Sequence, residues 1–341
     1  MSEQAEVTLG RGGMPSGLGN RLLRHLWGVL GPFIGLLVVI GFFALIAGDA
    51  RGAFLSLFNF KTVLTQVVIV ALGALGMTLV IVSGGIDLSV GSTVAFCSVV
   101  VAWVLLQVPS PALAMVAGVA VGTLIGFING SLITGLRMVP FIVTLGMLGM
   151  ARGGAKWLAK SQKINGPIDC WLYEFMVKEP DGWGGVAPGV WMVLVLAIVV
   201  ALLLTRTVFG RHVVAIGSNE ATARLCGVRV LRVKVLIYTI CGFFTGLAGT
   251  MQFARLTVGD PTVAVGLELD IIAAVVIGGG SLSGGVGSIL GSLIGALIMA
   301  FLRNGCQQVG WPNYLQEIII GAIIVVAVAV DQFRQRRGEV A

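Results

Sequence analysis

The chain has 341 residues, a formal net charge of +7, 57% hydrophobic and only 11% charged residues, and a mean hydropathy of +1.01. Too few polar side chains remain to coat a water-soluble fold of this size, so a soluble enzyme is excluded, and the excess of basic residues records membrane orientation rather than nucleic-acid binding. Apolar runs follow one another at the length of about 20 residues that a hydrocarbon core of about 30 Å demands, without the alternating segments of a membrane barrel, so the sequence reads as an all-α, polytopic membrane protein.

Residues 1–27 form a polar, glycine-rich tail with Arg11, Arg21 and Arg24. The first apolar run, 28–48, is too long for a signal-peptide core and lacks a small-residue cleavage site, so it reads as an uncleaved span. Nine further spans follow, at about 62–82, 89–107, 112–134, 140–160, 189–205, 233–254, 268–283, 287–303 and 315–331. Together, 28–331 reads as one transmembrane domain of about ten helices, with a short tail at 332–341. Ten crossings put both termini on the same side. Assigning them to the cytoplasm gathers Arg137, the cluster Arg206, Arg211, Arg224, Arg229, Arg232 and Lys234, and the tails' arginines on that face. The long loop 161–188, carrying Asp169, Glu174, Glu179 and Asp181, then lies outside, as the positive-inside rule requires. Trp171, Tyr173 and Trp183 in that loop suit an interfacial aromatic belt or contact with a partner protein.

In span four Gly118, Gly122, Gly126 and Gly130 recur every fourth residue, and span nine repeats the device with Gly287, Gly291 and Gly295. Such stripes let helix backbones approach closely, which matters in lipid because burial from water no longer drives association. Their positions as fourth and ninth of ten suggest an inverted five-plus-five repeat.

Catalytic signatures are absent from the sequence. The glycine-rich stretch 278–288 has no lysine to neutralise nucleotide phosphates, and neither a G-x-S-x-G elbow nor an H-E-x-x-H pair occurs. Cys97, Cys170, Cys226, Cys241 and Cys306 form no C-x-x-C pair and read as small hydrophobes, while His25 and His212 lie beside arginines. No metal, no cofactor and no enzymatic activity are expected of the chain itself.

Two polar segments stand out. In 206–234, "SNEATARLCG" has a cap in Ser218 or Asn219, an acid in the first turn in Glu220, and a terminating glycine in Gly227. A short amphipathic helix outside the bilayer either docks on a partner or belongs to a basic loop that only sets topology. The other segment, "VSGGIDLSVGS" (82–92), places Asp87 and Ser89 between apolar runs, where a carboxylate facing lipid would cost at least about 2.5–3.5 kcal/mol. Asp87 reads first as a helix cap for span three, then as a lining group of a polar pathway, and last as a proton-relay acid. Asp270 opens span eight as Asp87 opens span three, so one cap could serve twice.

The stretches 83–92, 128–153, 209–230, 238–249 and 267–298 resemble the permease subunits of bacterial ABC sugar importers of the ribose, xylose, arabinose and galactoside group. The resemblance covers about residues 60 to 331. It implies a bacterial inner-membrane permease that pairs with a second copy or related chain, a cytoplasmic ATPase and a periplasmic sugar-binding protein. It also makes Asn219, Glu220, Ala221, Arg224 and Gly227 the ATPase-docking helix. Polar groups at Asn129, Ser131, Thr144 and Ser281 are candidates for the pathway lining, a suitable surface for a neutral, hydroxyl-rich solute. The rivals are an importer of the same architecture for a branched-chain amino acid or nucleoside, and an ion-coupled secondary transporter.

Overall fold

The computed structural model describes residues 18–167, 170–177 and 183–339. In chain order its helices are α1 Leu18–Ile46, α2 Arg51–Phe54, α3 Leu57–Val82, α4 Val90–Gln107, α5 Pro111–Gly135, α6 Pro140–Leu158, α7 Pro188–Arg206, α8 Val208–Ser218, α9 Glu220–Leu225, α10 Val230–Leu256, α11 Leu267–Ile277, α12 Ile289–Gln308 and α13 Asn313–Glu339. The strands described are the two-residue β1 Ile164–Asn165 and β2 Val258–Gly259, paired antiparallel. Six of these helices, α3, α4, α5, α7, α10 and α12, are long and apolar enough to cross a membrane. Side-chain oxygens start several of them: Ser56 accepts the Asn59 N–H, Ser110 that of Leu113 and Ser288 that of Gly291, each satisfying an otherwise unpaired first-turn donor.

α3 is the axis of the bundle. Its second half is apolar on nearly every side, and from Ala71 to Val82 every residue is buried, as such a segment must be at the centre of a packed protein. Around it lie α10, α12, α11 and α7, while α5 and α6 pack on α4, with α5 also on α10. Since lipid is as apolar as leucine, this arrangement is held by close backbone approach and interhelical hydrogen bonds. Both occur. Asn59 and Asn304 exchange amide hydrogen bonds of 2.8 and 2.9 Å across α3 and α12, and the Thr78 hydroxyl lies 2.8 Å from that of Ser292 further along the same pair. On α5, a Cβ at Gly122 would meet the backbone of Gly242 and Gly246 at 2.6 Å, and one at Gly126 would run into the Tyr238 carbonyl. The glycine stripe of α5 therefore faces a second glycine set on α10.

Three expected boundaries shift. Residues 18–27, taken as tail, already belong to α1, which runs on through Gly28 and Pro32 to Ile46. The connection 206–234 is mostly helical, with α8 and α9 filling it. The span at 268–283 is not one helix: α11 has 11 residues, about 16 Å, half of a hydrocarbon core. Consecutive glycines at 278–280 end it, Gly279 adopting φ +92°, which side chains other than glycine rarely tolerate. Residues 278–288 then fold as a turn before α12. Gly287 accordingly lies ahead of α12 rather than on it and is pressed against Val82, while Gly291 and Gly295 sit on the α11 backbone at Gly278 and Ala274. Of the loop 161–188, Asp169, Glu179 and Asp181 lie outside the described residues, as does the side chain of Trp183.

Candidate functional site

Between α3 and α4 the backbone leaves helical geometry after Ser83 and regains it at Ser89, while still inside the protein. A Cβ on Gly73 would lie 3.7 Å from Val90 Cγ1, so α4 starts level with a point about 14 Å back along α3 from Val82. Non-helical backbone at this depth survives only when protein groups satisfy it. Asp87, 3% exposed, does part of this: its Oδ1 accepts from the Ser89 N–H at 2.9 Å and from the Ser89 hydroxyl at 2.6 Å. Asn129 on α5, fully buried, donates to the Ser89 hydroxyl oxygen at 3.0 Å. The Ile86 carbonyl is approached by the Thr144 hydroxyl at 3.4 Å and the Tyr238 hydroxyl at 3.5 Å.

This arrangement corrects the expectation that Asp87 caps α4. The cap position belongs to Ser89, whose backbone is already helical at φ −79°, ψ −7°, and Asp87 bonds that residue's own amide two positions on. The carboxylate closes a turn instead of satisfying first-turn amides. Asp270 does not cap α11 either. Gly266 holds the cap position, and Asp270 forms a 2.6 Å ion pair with Arg303 of α12. One device therefore does not serve twice. Of the remaining candidates, Ser131 is half-buried on α5, and Ser281 is buried in the 278–288 turn, where its oxygen accepts the Ser283 N–H at 3.3 Å. The structure brings Asp87, Ser89, Asn129 and Thr144 together around one backbone break and leaves Ser131, Asp270 and Ser281 apart from it.

Because asparagine retains the Oδ1 acceptor, Asp87→Asn should keep both bonds to Ser89 and melt close to the unaltered protein in detergent. Asp87→Ala leaves buried donors without a partner and should lower stability by about 1–3 kcal/mol.

At the end of the bundle where α3 terminates, α9 projects on α8. Asn219 Oδ1 accepts the Thr222 N–H at 2.9 Å, and Gly227 stops the helix at φ +83°. Glu220 is clamped by Lys234 Nζ at 2.6 Å and by Arg224 at 3.0 Å, and chiefly the Lys234 hydrogen bond holds its carboxyl below the usual carboxylate range. Ala223 faces inward, whereas Ala221, Arg224 and Leu225, the last 89% exposed, face out. A groove of about 340 Å³ separates α9 from the connection between α5 and α6 and includes Arg137, Glu220, Arg224 and Lys234 in its walls. Immediately before α9, Gly217 lies so tightly against the Val82 carbonyl that no Cβ fits, and the Gly285 N–H donates to that same carbonyl at 2.8 Å. The projecting helix, the end of α3 and the 278–288 turn thus meet at one point.

Sequence reading missed Lys234 as the partner of Glu220, Tyr238 beside the Asp87 turn, and Arg303 as the partner of Asp270. Arg303 carried a signal, since an arginine in an apolar span needs a partner. Among the described residues no cluster of His, Cys, Asp or Glu could hold a metal ion.

Residues 59–328 match the family model described as branched-chain amino acid transport system / permease component. The chain is similar to the ribose import permease protein RbsC of Bacillus subtilis, 40% identical over 304 residues, 89% of this chain and 92% of that protein. It is similar also to the L-arabinose ABC transporter permease protein AraH of Azospirillum brasilense, 36% identical over 284 residues and covering 83% of each chain. The fructose import permease protein FrcC of Rhizobium meliloti is 36% identical over 308 residues, 89% of this chain and 84% of that protein. No solved structure matches the chain.

Proposed function

Because the chain belongs to the permease family described as branched-chain amino acid transport system / permease component, a family of multi-pass membrane subunits, we propose that it is the translocating subunit of an ATP-driven, binding-protein-dependent sugar importer of a bacterial inner membrane. Ribose, arabinose and fructose import permeases among its relatives support a monosaccharide as cargo.

The observation that carries the ATP-driven part is α9. A helix of six residues is too short to persist in water unaided, yet here it is capped, ion-paired at its first residue and mounted on a second helix, with an apolar, basic face left outside. Such a knob suits a groove on a cytoplasmic ATPase, with Asn219, Glu220, Ala221, Arg224 and Gly227 at the joint. This orientation puts Arg206, Arg211, Arg224, Arg229, Arg232 and Lys234 in the cytoplasm, in keeping with the positive-inside rule. Both termini then lie there, and a periplasmic binding protein docks at the other end.

The spans count ten in this reading, in inverted halves. Packing of α5 on α10, α4 on α5, and α4 on α6 has counterparts in α12 on α3, α11 on α12, and α11 on α13. Transport is by alternating access of two such permeases, copies or related chains. ATP closes the ATPase pair, α9 moves with it, and Gly217 passes the motion to the end of α3 and the 278–288 turn. The backbone break around Asp87 is the place where α4 can pivot.

Affinity capture of the tagged chain from mildly solubilised membranes tests this. The expected companion is an ATPase bearing Walker motifs; recovery of the chain alone under conditions that preserve its fold would oppose the reading. The family's description also names branched-chain amino acids, so L-leucine is the second cargo to try.

A further inference from the structure

At the end of the bundle opposite α9, a cleft of about 290 Å³ opens between the start of α3, the end of α10, the start of α11 and the end of α12. By its volume it holds about ten water molecules at roughly 30 Å³ each, space enough for a single monosaccharide ring. Its polar walls are Gln66, Gln252, Arg255, Asp270, Arg303 and Gln307, an unusual concentration in so apolar a chain. The floor is apolar, with Ile69 and Met299.

Two buried atoms of residues in the cleft wall lack partners. Asp270, 3% exposed, uses Oδ2 for the ion pair with Arg303, while its Oδ1 accepts nothing; the Nε of Arg303 donates to nothing. Burying polar atoms unsatisfied is costly, and proteins keep such atoms where a visiting group satisfies them. Both atoms are shut off from the cleft by the side chains around them, and a shift of the Arg303 side chain would let a sugar hydroxyl donate a hydrogen bond to Asp270 Oδ1 while a neighbouring oxygen accepts from Arg303 Nε. The amides of Gln66, Gln252 and Gln307 each offer a donor and an acceptor to the remaining hydroxyls. Asp270 is already paired with Arg303, so it is not a free carboxylate for an amino acid's ammonium group.

We infer that this cleft is a sugar-holding vestibule on the permease itself, which receives a neutral monosaccharide from the binding protein before it passes inward. The inference rests on the sugar-import reading above and names the site through which that reading acts.

The test uses the permease–ATPase complex in nanodiscs and D-ribose as the probe, followed by saturation-transfer NMR in the absence of binding protein. The unaltered complex should show transfer to ribose. The doubly substituted Gln66→Ala, Gln252→Ala complex, which leaves the ion pair intact, should lose about tenfold in apparent affinity, the loss that two neutral hydrogen bonds represent. In proteoliposomes with the binding protein, the same variant should lower the maximal uptake rate and leave the half-saturating sugar concentration, set by the binding protein, unchanged. Gln307→Ala, at the exposed rim, should act in the same direction more weakly. Ribose signals equal to those of empty nanodiscs, or uptake of ribose, arabinose or fructose that both variants leave at the unaltered rate, overturn the inference alone. Failure of the unaltered assembly to take up any of these sugars overturns the import reading and the inference with it.

Discussion

Gly126→Val should abolish accumulation of the folded protein, whereas Gly149→Val should leave it intact. A Cβ at position 126 meets the carbonyl oxygen of Tyr238 and, at 2.9 and 3.0 Å, the backbone of Gly242. These obstacles are main-chain atoms of α10, which cannot rotate aside as a side chain can, so α5 and α10 would have to separate along their whole seam. Overpacking a core that can adjust costs about 1–3 kcal/mol, and a rigid backbone obstacle puts Gly126→Val at or beyond the upper end of that range. In lipid, the loss of close packing removes the main force that holds the pair. A Cβ at Gly149 has nothing within 4 Å. Gly118 gives an internal gradation: its nearest obstacles are the side chains of Val101 and Thr250, which can shift, so Gly118→Ala should cost less than Gly126→Ala. Monodisperse yield and melting temperature in detergent check the order.

Glu220→Arg should strip the ATPase from the captured complex while leaving the permease monodisperse. The substitution removes the anion held by both Lys234 and Arg224 and puts a third cation between them. Asn219 still caps α9 and Ala223 still anchors it, so the helix loses its orientation before its shape. Arg224→Glu, which leaves the Lys234 contact in place, should weaken capture less. Acid should act in the same sense. Glu220 has a folded-state carboxyl below its ordinary range, so its contribution is complete above the unfolded value near 4.3 and disappears as pH falls through the folded one. Capture should therefore be indifferent to pH between about 6 and 8 as far as this residue is concerned.

Much of this architecture was legible from local chemistry. The capped helix at 220–225 could be found because its signals lie within ten residues of one another: Asn219, Glu220 and Gly227 act on backbone groups beside them. Glycine periodicity likewise marked one face of α5 for close packing, although nothing local indicated that Gly242 and Gly246 of α10 would be the facing surface. The failures share a different cause. Asp87 and Asp270 look alike, each preceding an apolar run, and differ only through distant partners: Ser89 and Asn129 for one, Arg303 on the next helix for the other. The break after Ile277 was hidden because hydropathy counts apolar residues without asking whether the backbone stays helical, and glycine is counted neutrally there. Three consecutive glycines at 278–280 were the sign to read. The polar cleft was invisible because its walls come from four helices spread across 66–307, each contributing one or two polar groups to an otherwise apolar stretch.

The proposed function makes sugar movement through this chain depend on the work of a separate ATPase. It is tested most directly by radiolabelled uptake into proteoliposomes containing the permease, its captured ATPase and its binding protein, with ribose, arabinose, fructose and L-leucine compared. Uptake of one of the sugars should require ATP on the side of α9, persist with ionophores present, and be lost with Glu220→Arg. Uptake that continues without ATP and collapses when the ion gradient is dissipated would contradict it.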